Sequence, residues 1–142
     1  MKTTVNGNDL KKLVVLIVDD NMRFVERMIN ILESMNCIQF INVANEYQEA
    51  CRCIANEKSD IVLLDINLPW INGIEVLKKV KGTDTTCRVI MLTNHADEYY
   101  RQLCNELGAD YFLDKSHDFS KVPAIISDLI AWPFDKYSDY RI

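Results

Sequence analysis

The run Leu13-Val-Val-Leu-Ile-Val18, followed at once by Asp19-Asp20, is apolar for six positions and then places two carboxylates in a row. A strand with one wet face alternates apolar and polar residues. A run this uniformly apolar and rich in β-branched side chains predicts a strand covered on both faces, the habit of parallel sheets. Downstream, Asn21 suits a helix N-cap, and Phe24, Val25, Met28, Leu32 and Met35 recur at the period of a helix with one buried stripe.

The same alternation continues to the end of the chain. Ile38 to Val43 reads as a second strand, followed by helical spacing at Tyr47, Ala50, Cys51 and Ile54. Ile61 to Leu64 is a third strand closing on Asp65. The loop Asn67-Leu-Pro69-Trp-Ile-Asn-Gly73 then leads into a helix through Ile74, Leu77 and Val80. Arg88 to Thr93 is the fourth strand. Tyr99, Tyr100, Leu103, Cys104 and Leu107 mark the fourth helix, stopped by Gly108 at C′, and Tyr111 to Leu113 is a short fifth strand. Val122, Ile125, Ile126, Leu129 and Ile130 trace a fifth helix, with Pro123 in its first turn. Strands alternating with helices at roughly 25-residue intervals imply right-handed crossovers, hence a doubly wound α/β domain with a parallel sheet and helices on both faces.

The 142 residues suit one domain, and 49% hydrophobic with 26% charged residues places the chain among globular proteins rather than disordered ones. Sixteen basic against twenty-one acidic residues leave a net charge of −5, which argues against a nucleic-acid or anionic-membrane partner. No apolar run approaches the roughly 18 residues that span a bilayer, and the first nine residues are polar, so membrane insertion and export are not expected. The five cysteines (Cys37, Cys51, Cys53, Cys87, Cys104) form an odd set without a CxxC pair, consistent with reduced thiols in a cytoplasm.

In open α/β sheets ligands bind beyond the carboxyl ends of the strands, so the residues following each apolar run carry the chemistry. Here these are Asp19-Asp20, Asp65, Thr93 and Asp114-Lys115. Asp and Asn end strands and cap helices everywhere, so one alone would mean little. Gathered on one rim they conflict, because two carboxylates about 4 Å apart repel by about 4 kcal/mol at an effective dielectric near 20. A cation is required, and a few hard oxygen ligands with room for water suit Mg²⁺ or Mn²⁺. A divalent ion beside an ammonium and a hydroxyl forms a receptacle for a phosphoryl group. Asp65 is the candidate nucleophile, since a carboxylate is ionised at neutral pH and needs no general base. With four glycines and neither GxGxxG nor GxxxxGK[ST], nucleotide binding is disfavoured. A flavin phosphate would be repelled by Asp19-Asp20.

The V-L-I-V-D-D run, the stretch L-L-D-I-N-L-P-W-I-N-G, the strand ending M-L-T and the segment G-A-D-Y-F-L-D-K resemble, in order and spacing, the receiver domain of two-component response regulators over roughly residues 13–130. The resemblance implies the flavodoxin-like strand order 2-1-3-4-5. It implies Asp65 as the phosphorylated aspartate, with Mg²⁺ held by Asp19, Asp20, Asp65 and the backbone carbonyl of Asn67. Thr93 becomes the switch hydroxyl, Phe112 the switch aromatic, and Lys115 the partner of the phosphoryl group. The donor would be a sensor histidine kinase or a histidine phosphotransfer protein. The output would be a downstream protein bound through the face of helix four, strand five and helix five, a face that is also a candidate for homodimerisation.

Several positions depart from the family pattern. Ser116 stands where many members have proline, Asn94 where a smaller residue is common, and Phe112 lacks the hydroxyl of the commoner tyrosine. Asn94 narrows the approach to Asp65 and, with His95 at the mouth, is a candidate modulator of transfer and hydrolysis, although His95 reads first as an exposed residue. The expected organisation is a leader over 1–11, a receiver domain over 12–131 and a short aromatic tail over 132–142 (Trp132, Phe134, Tyr137, Tyr140), with no output domain following. Two rivals remain in view: an interaction module that keeps the fold but no longer phosphorylates, and an aspartate-based phosphohydrolase. The latter commonly carries a second acid two residues after its nucleophile, where this chain has Asn67.

Overall fold

The computed structural model describes residues 12–84 and 86–130; the expected leader over 1–11 and tail over 132–142 lie outside the described residues. Five strands, β1 (Leu13–Val18), β2 (Ile38–Ala44), β3 (Ile61–Leu64), β4 (Arg88–Thr93) and β5 (Tyr111–Asp114), form one parallel sheet in the order β2-β1-β3-β4-β5. Between and after them run α1 (Met22–Glu33), α2 (Tyr47–Asn56), α3 (Gly73–Thr83), α4 (Glu98–Glu106) and α5 (Val122–Ile130).

The period of two along each strand sorts side chains to two cores. Leu16, Val18, Val62, Leu64, Val89, Met91 and Phe112 pack under α2, α3 and α4. Val15, Ile17, Leu63, Ile90, Leu92, Tyr111 and Leu113 pack under α1 and α5. This is why β1 and β3 read as unbroken apolar runs, whereas the edge strand β2 leaves Phe40 60% exposed. Along α1, Phe24, Val25, Met28 and Leu32 are buried as their spacing predicts. Their burial is worth about 2 kcal/mol each against about 1 kcal/mol for the Asn21 cap, so packing dominates and the cap sets where the helix begins.

Helix ends differ by a residue or two from the periodic pattern. Helix α1 ends at Glu33, before Met35, which still packs on the core from the following turn. Helix α4 ends at Glu106; Leu107 is its C-cap, and Gly108 follows at φ 97°, with Ala109 donating back to the Cys104 carbonyl. A 3₁₀ turn at Phe119–Lys121 that the periodicity did not signal leads into α5, where Pro123 occupies the first turn. Among the described residues no helix is long and apolar enough to cross a membrane.

All five cysteines are free thiols, with Cys87 and Cys104 buried and the other three half-buried. Burial disfavours the thiolate, pushing Cys87 up to about 12 and Cys104 to about 11. Peptide mapping after iodoacetamide treatment of the native protein at pH 8 should therefore find Cys87 and Cys104 unmodified, and both labelled once urea unfolds the chain. Labelling of either in the native state at the rate of a free thiol contradicts this core.

Candidate functional site

Asp19, Asp65 and Lys115 each occupy the rung just past a strand and Thr93 is the last residue of one, and the ladder continues through them. Asp19 donates its N–H to Ala44, Asp65 to Val18, and Lys115 to the Thr93 carbonyl, all at 3.0 Å. The carboxyl edge of the sheet thus fixes the backbones from which the side chains converge. Carboxylate oxygens of Asp19, Asp20 and Asp65 lie within 4.8 Å of one another, with Asp19 and Asp65 buried and Asp20 exposed.

The ammonium of Lys115 bridges the two buried acids, 2.7 Å from Asp19 Oδ2 and 3.0 Å from Asp65 Oδ2. The pocket therefore carries one cation of its own, the ammonium expected on this rim, here paired directly to two of the acids. Three carboxylates against one ammonium still leave an excess of negative charge, and oxygens at this spacing form a hard donor set that fits a small divalent cation. Burial raises Asp19 above the ordinary carboxylate range despite the hydrogen bond from Lys115 that pulls it down. Burial also works against the Lys115 ammonium, but the Asp19 and Asp65 carboxylates more than offset it and leave its pKa raised.

Local turns orient these groups. Asp19 Oδ1 accepts from the Asn21 N–H at 2.9 Å, and the Asn21 side chain accepts from the Phe24 N–H at 3.2 Å, so one turn orients a carboxylate and starts α1. Asp65 Oδ1 accepts from the Asn67 N–H at 3.2 Å, which places Asn67 against the candidate nucleophile. Asp114 accepts from the N–H groups of His117 and Ser116, which hold it below the ordinary carboxylate range and tighten the loop carrying Lys115.

Thr93 is buried at the end of β4, and its hydroxyl accepts from the His95 N–H at 3.1 Å. His95 is exposed and its ring lies edge-on to Tyr100. Asn94 and Ser116, two departures that read as unrelated in sequence, meet across the mouth: Ser116 Oγ donates to Asn94 Oδ1 at 3.4 Å. Phe112 is 1% exposed, with the Arg101 guanidinium of α4 5.1 Å from its ring centre. The ring lies inside the core beneath α4.

The family model for the response regulator receiver domain matches residues 15–127, four-fifths of the chain and all of these positions. The chain belongs to the receiver domain family of two-component response regulators. Solved structures agree: a CheY-like receiver domain protein from Methanospirillum hungatei superposes with a TM-score of 0.78 at 26% identity, covering 85% of this chain and 95% of that one. CheY in a CheX-CheY-BeF₃-Mg²⁺ complex from Borrelia burgdorferi gives 0.77 at 31% identity, covering 88% and 94%. A protein-glutamate methylesterase/protein-glutamine glutaminase from Clostridium acetobutylicum is 30% identical over 123 residues, 85% of this chain but only 36% of that enzyme. The chain thus spans about a third of that relative's length.

Two features of this receiver escaped the sequence. Trp70, 94% exposed at the tip of the β3–α3 loop, has φ 70°, a strained position for a side-chain-bearing residue beside a functional site. Gly73 reads as a turn residue, yet its importance is space: a Cβ there would lie 1.9 Å from the Asp65 carbonyl oxygen and 2.8 Å from its carbon. The available signal was a poor helix former at the first position of α3, directly after the Asn72 cap. Gly73→Ala must separate α3 from the Asp65 peptide, at about 3 kcal/mol. Urea unfolding should show that loss, and a variant within about 1 kcal/mol of wild type would refute the close contact as a constraint.

Proposed function

We propose that this receiver domain, taken as residues 12–131, is a phosphoacceptor. It accepts a phosphoryl group from a phosphohistidine on a sensor histidine kinase or histidine phosphotransfer protein. The observation that carries the reading is the three-carboxylate cluster in which Asp65 is paired to a buried lysine. An Asp65 oxygen forms the new O–P bond, the N–P bond of the phosphohistidine breaks, and the imidazole leaves with its electron pair. The attacking oxygen belongs to a carboxylate paired with the Lys115 ammonium, so no side chain is needed to take a proton from it.

Lys115, already 3.0 Å from Asp65, neutralises charge on the transferring group. The Thr93 hydroxyl accepts from His95 and keeps its own proton to donate to a phosphoryl oxygen. Asp19, Asp20, Asp65 and the Asn67 carbonyl would hold Mg²⁺ or Mn²⁺, which when bound would supply positive charge to offset that of the carboxylates and of the phosphoryl group. The Borrelia burgdorferi relative, described in a complex with BeF₃ and Mg²⁺, supports this assignment.

The acyl phosphate is a signal because it adds roughly 1.5 to 2 negative charges beside Thr93. A shift of Thr93 reaches α4 through His95 and its ring contact with Tyr100, while Arg101 ties the same helix to Phe112. The face of α4, β5 and α5 is then the surface read by a downstream protein or a second copy. The Asn94–Ser116 bridge narrows the approach for water and slows loss of the phosphoryl group.

Incubation with acetyl phosphate and Mg²⁺ should add the mass of one phosphoryl group to the intact protein and none to Asp65→Asn, while Lys115→Ala reacts about 100-fold more slowly. No gain by wild type, with this donor or with a kinase, would favour a receiver that no longer phosphorylates. Mg²⁺ at a hundredfold excess over its Kd should stabilise the fold by about 2.7 kcal/mol. In a thermal melt the rise should vanish in Asp20→Ala; an equal rise in that variant places the ion elsewhere.

A further inference from the structure

We propose that the ring of Phe24 positions the Lys115 ammonium for the phosphoryl group, a role that rests on the phosphoacceptor reading above. The Lys115 nitrogen lies 4.4 Å from the centre of the Phe24 ring. An aromatic face attracts a cation most strongly where water is scarce, and Phe24 and Lys115 are only 6% and 8% exposed. Of the groups touching this ammonium, Asp19 and Asp65 are also candidate metal ligands, and Asp65 is the acceptor besides. Their charge is engaged elsewhere when the site is loaded. The ring belongs to neither set and is the contact that persists.

The ring is itself held. The Phe24 N–H is bound by the Asn21 cap at 3.2 Å, which fixes the backbone two positions into α1. Phe119, in the turn before α5, meets the ring edge-on, centres 5.5 Å apart and planes at 73°. Arg27, one turn along α1, lies 4.3 Å over Phe119. Lysine, ring, ring and arginine thus connect the β5–α5 loop to α1. Phe24 has the apolar character that the α1 stripe requires, but a leucine would fill that requirement as well; only an aromatic face also attracts the ammonium.

The test compares Phe24→Leu and Phe24→Tyr with wild type, at a temperature where circular dichroism shows all three folded. Without donor or metal, the Lys115 ε-methylene protons should resonate upfield of the other lysines in wild type and Phe24→Tyr, through the ring current, and lose that shift in Phe24→Leu. With acetyl phosphate and Mg²⁺, Phe24→Leu should phosphorylate about tenfold more slowly, equivalent to about 1.4 kcal/mol in the barrier, and Phe24→Tyr should recover most of the rate. If Phe24→Leu melts too low, Phe24→Met, longer and more adaptable in packing, replaces it. Wild-type rates in the aliphatic variant, or no recovery in Phe24→Tyr, overturn the role of Phe24 alone. No phosphoryl uptake by wild type overturns the acceptor reading and this role with it.

Discussion

An ammonium as buried as Lys115 stays charged only where carboxylates replace the water it has lost, and Asp19 at 2.7 Å and Asp65 at 3.0 Å do so. The dependence is mutual. Without the lysine, two buried acids and the exposed Asp20 would face one another within 4.8 Å, a repulsion of several kcal/mol even at an effective dielectric near 20. The ends of β1, β3 and β5 must therefore lie at the same level, although β4 stands between β3 and β5 in the sheet. The parallel architecture supplies that common edge, and the ladder bonds that run one residue past β1, β3 and β5 hold it in register.

Much of this is written in local patterns. The apolar runs at Leu13–Val18 and Ile61–Leu64 are buried on both faces, and the acids closing them stand where strand direction alone would put them. Thr93 and Lys115 follow from the same rule. The cap at Asn21, the stop at Gly108 and the first-turn proline of α5 are signals whose mechanism acts within one turn, and each is found in place.

Contacts across the fold were not legible, because they depend on which loops become neighbours. Asn94 and Ser116 are 22 residues apart and meet only once β4 and β5 lie side by side. Phe24 carries two messages in one letter: its spacing announces a buried stripe, and nothing local announces a lysine 91 positions later resting on its face. Phe112 falls likewise in an apolar run, and its clamp by Arg101 needs α4 to be folded back beside β5.

Gly73 gives the site two walls of unequal stiffness. On one side the Asp65 peptide is wedged against the start of α3, with the Gly73 N–H bonded to the Ile66 carbonyl at 2.7 Å and no room for even a methyl group. On the other, the segments after β4 and β5 meet at the mouth through the exposed side chains of Asn94 and Ser116, which rotate at little expense. On the phosphoacceptor reading, a group added to Asp65 would find an anvil behind it and, in front, a rim joined by side chains, so a missing side chain would steer any movement away from α3.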